Sequence, residues 1–171
     1  MTSPAPTWTV QEVSYMDLDS FVDAFGSVFE DSPRLAEEAF RSAPFADLDD
    51  LLAAFRAAAD ALDDEQRLEL LRAHPQLGDR GPMADASVDE QASAGLDRMT
   101  DDVARRLADA NREYLERHGF PFIIAVRGRT QPKILRELER RMTLPTDEER
   151  VEAFDQVQTI AELRLRMLVA P

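Results

Sequence analysis

Residues 100–126 read TDDVARRLADANREYLERHGFPFIIAV, and the two halves of this stretch obey different rules. Thr100 offers a hydroxyl to open a helix, and Val103, Leu107, Ala110 and Tyr114 then recur at the spacing of one helical stripe. Gly119 stops that helix. Phe120–Val126 is continuously apolar, carries a proline and is too short to read as a helix. No second strand-like run exists to pair with it. The chain therefore reads as all-α with one extended apolar segment near residues 120–126.

Working outward, the remaining apolar positions also follow a helical period. Asp17 caps a predicted helix over 18–30 that turns Phe21, Phe25 and Val28 to one side. Ser32-Pro33 opens a short helix to Phe40, and Pro44 breaks the chain. Asp47 then starts a run with Leu48, Leu51, Leu52, Phe55 and Ala59 inward. A helix over 64–73 buries Leu68 and Leu71 before Pro75. Residues 76–86, with Gly78, Gly81 and Pro82, read as a loop. Ser87 begins a helix that fades near Met99, Pro132 starts one through Met142, and Thr146–Glu149 reads as a capping box for a last helix to Leu168. The expectation is a single-domain bundle of about eight helices over residues 1–171, with 1–10 a flexible N-terminal segment.

Composition narrows the function. The 171 residues are 44% hydrophobic and 32% charged, which suits a folded domain. A formal net charge of −14 argues against a nucleic-acid partner, although a few local arginines can still serve an anionic small molecule. The absence of cysteine removes disulfides, thiol nucleophiles and thiolate metal sites. Lys133 is the only lysine, which disfavours Schiff-base chemistry. No run approaches the ~20 apolar residues of a membrane span, and the first residues lack the pattern of a signal peptide.

Few residues can then carry chemistry. His74 ends a predicted helix and is followed by Pro75. A histidine there can cap carbonyls, or present its ring as a proton-transfer group at a helix mouth. His118, beside Gly119, reads better as a cap. Glu90 lies three residues after Ser87, the capping-box spacing. A carboxylate held in a first turn can equally act as acceptor or base, and Gln91 adds an amide at the same rim. Arg164 shares a stripe with Val157, Ile160 and Leu168, so it must find a buried anion or lie along the edge. Arg166 instead pairs with Glu162 at the surface. The extended segment, lacking a sheet, leaves backbone N–H and C=O groups that a planar, amide-rich ligand can satisfy.

Four stretches taken in order, LLRAHPQLG (70–78), ASVDEQASAGL (86–96), HGFPFIIAVRGR (118–129) and IAELRLRML (160–168), resemble the motifs of the ureidoimidazoline decarboxylases of purine breakdown. Their substrate is 2-oxo-4-hydroxy-4-carboxy-5-ureidoimidazoline (OHCU). The resemblance runs from about Asp17 to Leu168. It implies an all-helical enzyme without metal or cofactor that releases CO2 and yields (S)-allantoin. His74 matches the family's catalytic proton donor and Glu90 its catalytic carboxylate. Pro75, the run Ser87, Val88, Asp89, Glu90 and Gln91, and the run Phe122, Ile123, Ile124, Ala125 and Val126 match substrate-contacting positions. Arg164 matches the arginine that holds the ligand. The loop between His74 and Ser87 is shorter than in many relatives, and Ala125 stands where some carry cysteine. The resemblance also implies a homodimer, and a place beside hydroxyisourate hydrolase acting in trans. With no peroxisomal tail of the Ser-Lys-Leu type, a cytoplasmic location is expected.

Two other readings compete. A metal-assisted ureide hydrolase would use His74, Glu90 and a nearby aspartate, but zinc wants at least two well-placed nitrogen or sulfur ligands. A non-catalytic helical adaptor would have no reason to keep His74, Glu90, Gln91 and Arg164 together.

Overall fold

Local caps set where most helices begin in the computed structural model of the chain, which describes residues 7–78 and 85–170. These fall into two units, residues 7–70 with 158–170 and residues 71–157. In the first, β1 (Trp8–Thr9) leads into α1 (Val10–Ser14). Thr9 and Glu12 cap one another, each accepting from the other's backbone N–H, at 3.2 and 2.8 Å. Asp17 caps α2 (Leu18–Phe25) through Ser20 N–H at 2.9 Å. Asp47 does the same for α4 (Leu48–Asp60) through Asp50 N–H at 2.9 Å. Between them runs α3 (Arg34–Phe40), and α5 (Asp64–Ala73) follows behind an Asp63–Gln66 reciprocal cap. The apolar faces meet in a phenylalanine cluster. The Phe21 ring lies 4.8 Å from Phe25, 5.2 Å from Phe40 and 5.9 Å from Phe55. Burying one such ring contributes roughly 1.5–3 kcal/mol. The second half of α9 (Thr146–Leu168) belongs here, and β2 (Val169–Ala170) pairs in parallel with β1, Trp8 opposite Val169.

The second unit holds α6 (Asp85–Ser93), a short 3-10 turn at Leu96–Arg98, α7 (Asp101–His118), α8 (Gln131–Met142) and the first half of α9. Thr100 caps α7 through Val103 N–H, and Gly119 ends it at φ +79°. Tyr114, Phe120, Phe122, Ile134 and Leu138 form its fully buried centre. Residues 120–126 are extended, buried along their whole length, and paired with no strand among the described residues. The chain is mostly helical, as read from periodicity.

Several boundaries differ from expectation. The helix expected to reach residue 30 stops at Gly26, a poor helix former, and Val28, Phe29 and Glu30 then turn inward in succession, which a single helical stripe cannot do. The helix after Pro33 begins at Arg34 without a side-chain cap. Nine α-helices form among the described residues rather than about eight. The additional one is α1, and Trp8–Val10 of the stretch expected to be flexible carries regular structure. Part of the predicted 76–86 loop, residues 79–84, and residues 1–6 of the expected N-terminal segment lie outside the described residues.

Neither residue expected to open a capping box stands at the N-cap of its helix. α6 starts at Asp85, so Ser87 is its third residue and buried rather than its cap. Thr146 is already inside α9, its hydroxyl 3.1 Å from His118 Nδ1. Glu149, read as the partner in that box, is instead fully buried against Arg141. The spacing S/T-x-x-E signals a cap only where the Ser or Thr itself stands outside the helix.

Candidate functional site

His74 follows the last residue of α5 and is buried, with 8% of its surface exposed. Its N–H donates to Leu71 O at 3.3 Å, the last echo of the helix before Pro75 forbids another turn. The chain beyond is pinned at two consecutive residues. Leu77 O accepts from Asn111 Nδ2 at 2.8 Å, and Gly78 N–H donates to Gln91 Oε1 at 2.7 Å. Gly78 sits at φ +79°, where a Cβ would stand 3.0 Å from Leu107 Cδ2. The second bond ties the turn after His74 to α6, the helix that carries Glu90. Gln91, expected to face substrate, thus uses its carbonyl to hold this turn.

Along α6, Ser87 is buried, Val88 and Asp89 are exposed, and Glu90 and Gln91 are half-buried. A cavity of about 280 Å3 lies beside the pinned turn, lined by Gln76, Leu77, Gly78, Met99, Leu107 and Asn111. Asn111 Oδ1 is buried there with no hydrogen-bond partner among the described residues.

The extended segment is held by side chains of α8, α9 and the loop before α8. Ile123 O accepts from Arg141 Nη1 at 2.7 Å, and the Arg141 guanidinium lies 4.7 Å from the Phe122 ring. Ala125 N–H donates to Gln156 Oε1 at 3.0 Å, and Ala125 O accepts from Arg129 Nε at 3.0 Å. Arg141 is itself paired with Glu149, its Nε 3.0 and 3.1 Å from the two carboxylate oxygens, and both side chains are fully buried. The Tyr114 hydroxyl also donates to Glu149, and burial followed by this bond raises the Tyr114 pKa above its usual value. His118 packs on the Tyr114 ring at 4.6 Å, and burial holds its pKa below the usual histidine value. His118 is thus a buried polar residue rather than a surface helix cap.

Arg164 lies in the other unit. It is 4% exposed, and its Nη1 reaches Glu30 Oε2 at 3.3 Å, Val28 O at 3.2 Å and Ser27 O at 3.3 Å. The anion that an arginine on an apolar stripe must find is supplied, at least in part, by Glu30. Arg166 pairs with Glu162 at 2.9 Å, as its spacing indicates. A separate cavity of about 180 Å3 in this unit, floored by Phe29, Leu52, Phe55 and Leu165, is lined by none of the expected site residues.

Asn111, Arg141 and Gln156 are residues that sequence reasoning passed over, and Glu149 it read only as a capping partner. Only Asn111 gave a local hint, as a polar residue one step from the apolar stripe of α7. Among the described residues no group of three or more His, Asp or Glu side chains is placed to hold a metal ion. None of the described helices is long and apolar enough to cross a membrane.

Residues 14–166 match the sequence profile of a family described as OHCU decarboxylase. A 2-oxo-4-hydroxy-4-carboxy-5-ureidoimidazoline decarboxylase of Haloferax volcanii is 46% identical over 157 residues, covering 92% of this chain and 94% of the relative. A uric acid degradation bifunctional protein of Bacillus subtilis is 34% identical over 162 residues, covering 95% of this chain and 33% of that protein. Among solved structures, an OHCU decarboxylase crystallised in the presence of (S)-allantoin superposes with a TM-score of 0.70 at 25% identity, covering 90% of this chain and 98% of the other.

Proposed function

This chain belongs to the OHCU decarboxylase family, and from that premise we propose that it converts OHCU to (S)-allantoin and CO2 in urate degradation, with His74 as proton donor. The observation that carries the reading is the family match across residues 14–166, which contains every expected site residue. The reading extends to one catalytic domain over the whole chain.

The chemistry asks little of a cofactor. When the C–CO2 bond breaks, its electron pair stays on the ring carbon that carried the carboxylate and delocalises into the adjacent C=N bond of the ring. The protein must orient the ring, manage the anion and deliver one proton to one face. His74, held at the end of α5, delivers that proton and so fixes the hand of the product. Glu90 accepts a hydrogen bond from the substrate hydroxyl, and its charge disfavours the neighbouring carboxylate until CO2 leaves. Ser87, Val88, Asp89, Gln91 and Pro75 border the ligand, and Arg164 holds its anionic or carbonyl oxygens. The 122–126 segment supplies backbone groups, supported by the absence, among the described residues, of any hydrogen bond to the Ile124 backbone.

Two parts of the reading concern surroundings. The protein acts in the cytoplasm as a homodimer. It works in trans beside hydroxyisourate hydrolase, and the Bacillus subtilis relative, described as bifunctional in uric acid degradation, supports only the broader coupling to a second activity of urate breakdown.

The test is circular dichroism at an allantoin-sensitive wavelength, with OHCU generated in place from urate. Rapid formation of one enantiomer, insensitive to chelator, is expected. His74→Ala should lower the rate by about 10²–10⁴-fold. A folded His74→Ala protein with an unchanged rate and unchanged enantiomer purity would remove His74 as the donor. Allantoin that forms no faster than in the blank, and racemic, would overturn the decarboxylase itself.

A further inference from the structure

We infer that Gln156 and Arg141 are positioning residues for ligand binding, because together they aim the two backbone groups of Ile124. This rests on the reading that the 122–126 segment contacts substrate. A trans peptide group is planar, with its C=O and N–H pointing in opposite directions. The peptide between residues 123 and 124 has its C=O anchored on Arg141 at 2.7 Å, so the Ile124 N–H at its other end points away from Arg141. The peptide between residues 124 and 125 has its N–H anchored on Gln156 at 3.0 Å, so the Ile124 C=O points away from Gln156. Both planes flanking Ile124 are therefore fixed from behind. One donor and one acceptor of a single residue are left, the pairing that an extended segment offers at a sheet edge. A ureide or cyclic amide, with adjacent C=O and N–H, is the complementary chemical class.

The two anchors differ in how firmly they are held. Arg141 is locked by Glu149 in a fully buried pair. Gln156 is a half-buried neutral amide on α9, so its removal spares the core. If it is lost, the 124–125 peptide can rotate, and the Ile124 carbonyl gives up its fixed direction.

The experiment pairs ligand titration with two variants. In the 15N-labelled wild-type protein, (S)-allantoin should shift the Ile124 amide resonance. Gln156→Leu should weaken (S)-allantoin binding and raise KM by about 5–10-fold, with kcat within about 2-fold of wild type, the signature of lost uniform binding. Gln156→Glu keeps an acceptor for Ala125 N–H and should restore KM to near the wild-type value. A role confined to folding would lower the melting temperature of Gln156→Leu without this split and without rescue by glutamate. A shifting Ile124 resonance combined with a wild-type KM in Gln156→Leu overturns the positioning role alone. An Ile124 resonance that stays still at saturating (S)-allantoin overturns the contact reading, and the positioning role with it.

Discussion

Glu149→Ala should be among the most damaging single changes in this protein, although Glu149 touches no expected site residue except through Arg141. The substitution leaves the Arg141 guanidinium fully buried with its main counter-charge gone, since Glu152 reaches Arg141 Nε only at 3.8 Å. It also strips the Tyr114 hydroxyl of its acceptor. Breaking a buried pair from one side costs about 3–5 kcal/mol. At about 2–4 °C per kcal/mol for a chain of this size, the melting temperature should fall by about 6–20 °C. The triple variant Tyr114→Phe/Arg141→Met/Glu149→Leu supplies the control, because replacing all the charged and polar partners by apolar ones is often neutral or better. It should recover at least half of the lost stability. Recovery stays incomplete because Ile123 O loses its donor, worth about 1 kcal/mol. Thermal unfolding by circular dichroism at 222 nm reads both variants. A Glu149→Ala protein melting within about 2 °C of wild type would refute the assignment of this pair as a buried charge that must stay compensated. A triple variant less stable than Glu149→Ala would show that the pair stabilises outright.

Two further outcomes follow from the same unit. His118 is buried with its pKa below that of an unfolded histidine, so the unfolded chain binds a proton more readily in the interval between the two values. Stability should therefore fall as pH drops below about 6.5, and His118→Asn should flatten that slope in urea midpoints taken from pH 5 to 8. An unaltered slope would mean that other groups govern acid stability. Asn111→Leu removes the donor to Leu77 O and should cost about 1–2 kcal/mol in urea unfolding, while lowering kcat because the turn after His74 loses one of its two pins. Full activity in a destabilised Asn111→Leu protein would separate that turn from catalysis.

Interactions closed within three or four residues were legible in the chain. Asp17, Asp47 and Thr100 each accept from a backbone N–H three residues on, and Gly119 ends α7 in the left-handed region, so their positions follow from residue type alone. The Glu162–Arg166 pair is of the same kind. The Thr9–Glu12 box shows that the same rule, applied to the first residues, would have found α1. The failures at Ser87 and Thr146 have the opposite cause. The spacing was right, but these residues lie inside their helices, where Thr146 met His118 across 28 positions of chain.

The site divides along this line. His74, Glu90, the 122–126 segment and Arg164 stand out as candidates in the sequence because each sits in a short contiguous motif. What holds those motifs could not. Gly78 reaches Gln91 across 13 positions, Leu77 reaches Asn111 across 34, Arg141 reaches Ile123 across 18, and Gln156 reaches Ala125 across 31. The sequence alone determined the helical class, most helix starts and the residue types available for proton transfer, since those depend on side-chain periodicity and on bonds to the nearest turn. Only the tertiary structure decided which polar side chains pin the His74 turn and the extended segment. A buried N–H or C=O must find a partner somewhere, and nothing in the local chain says where.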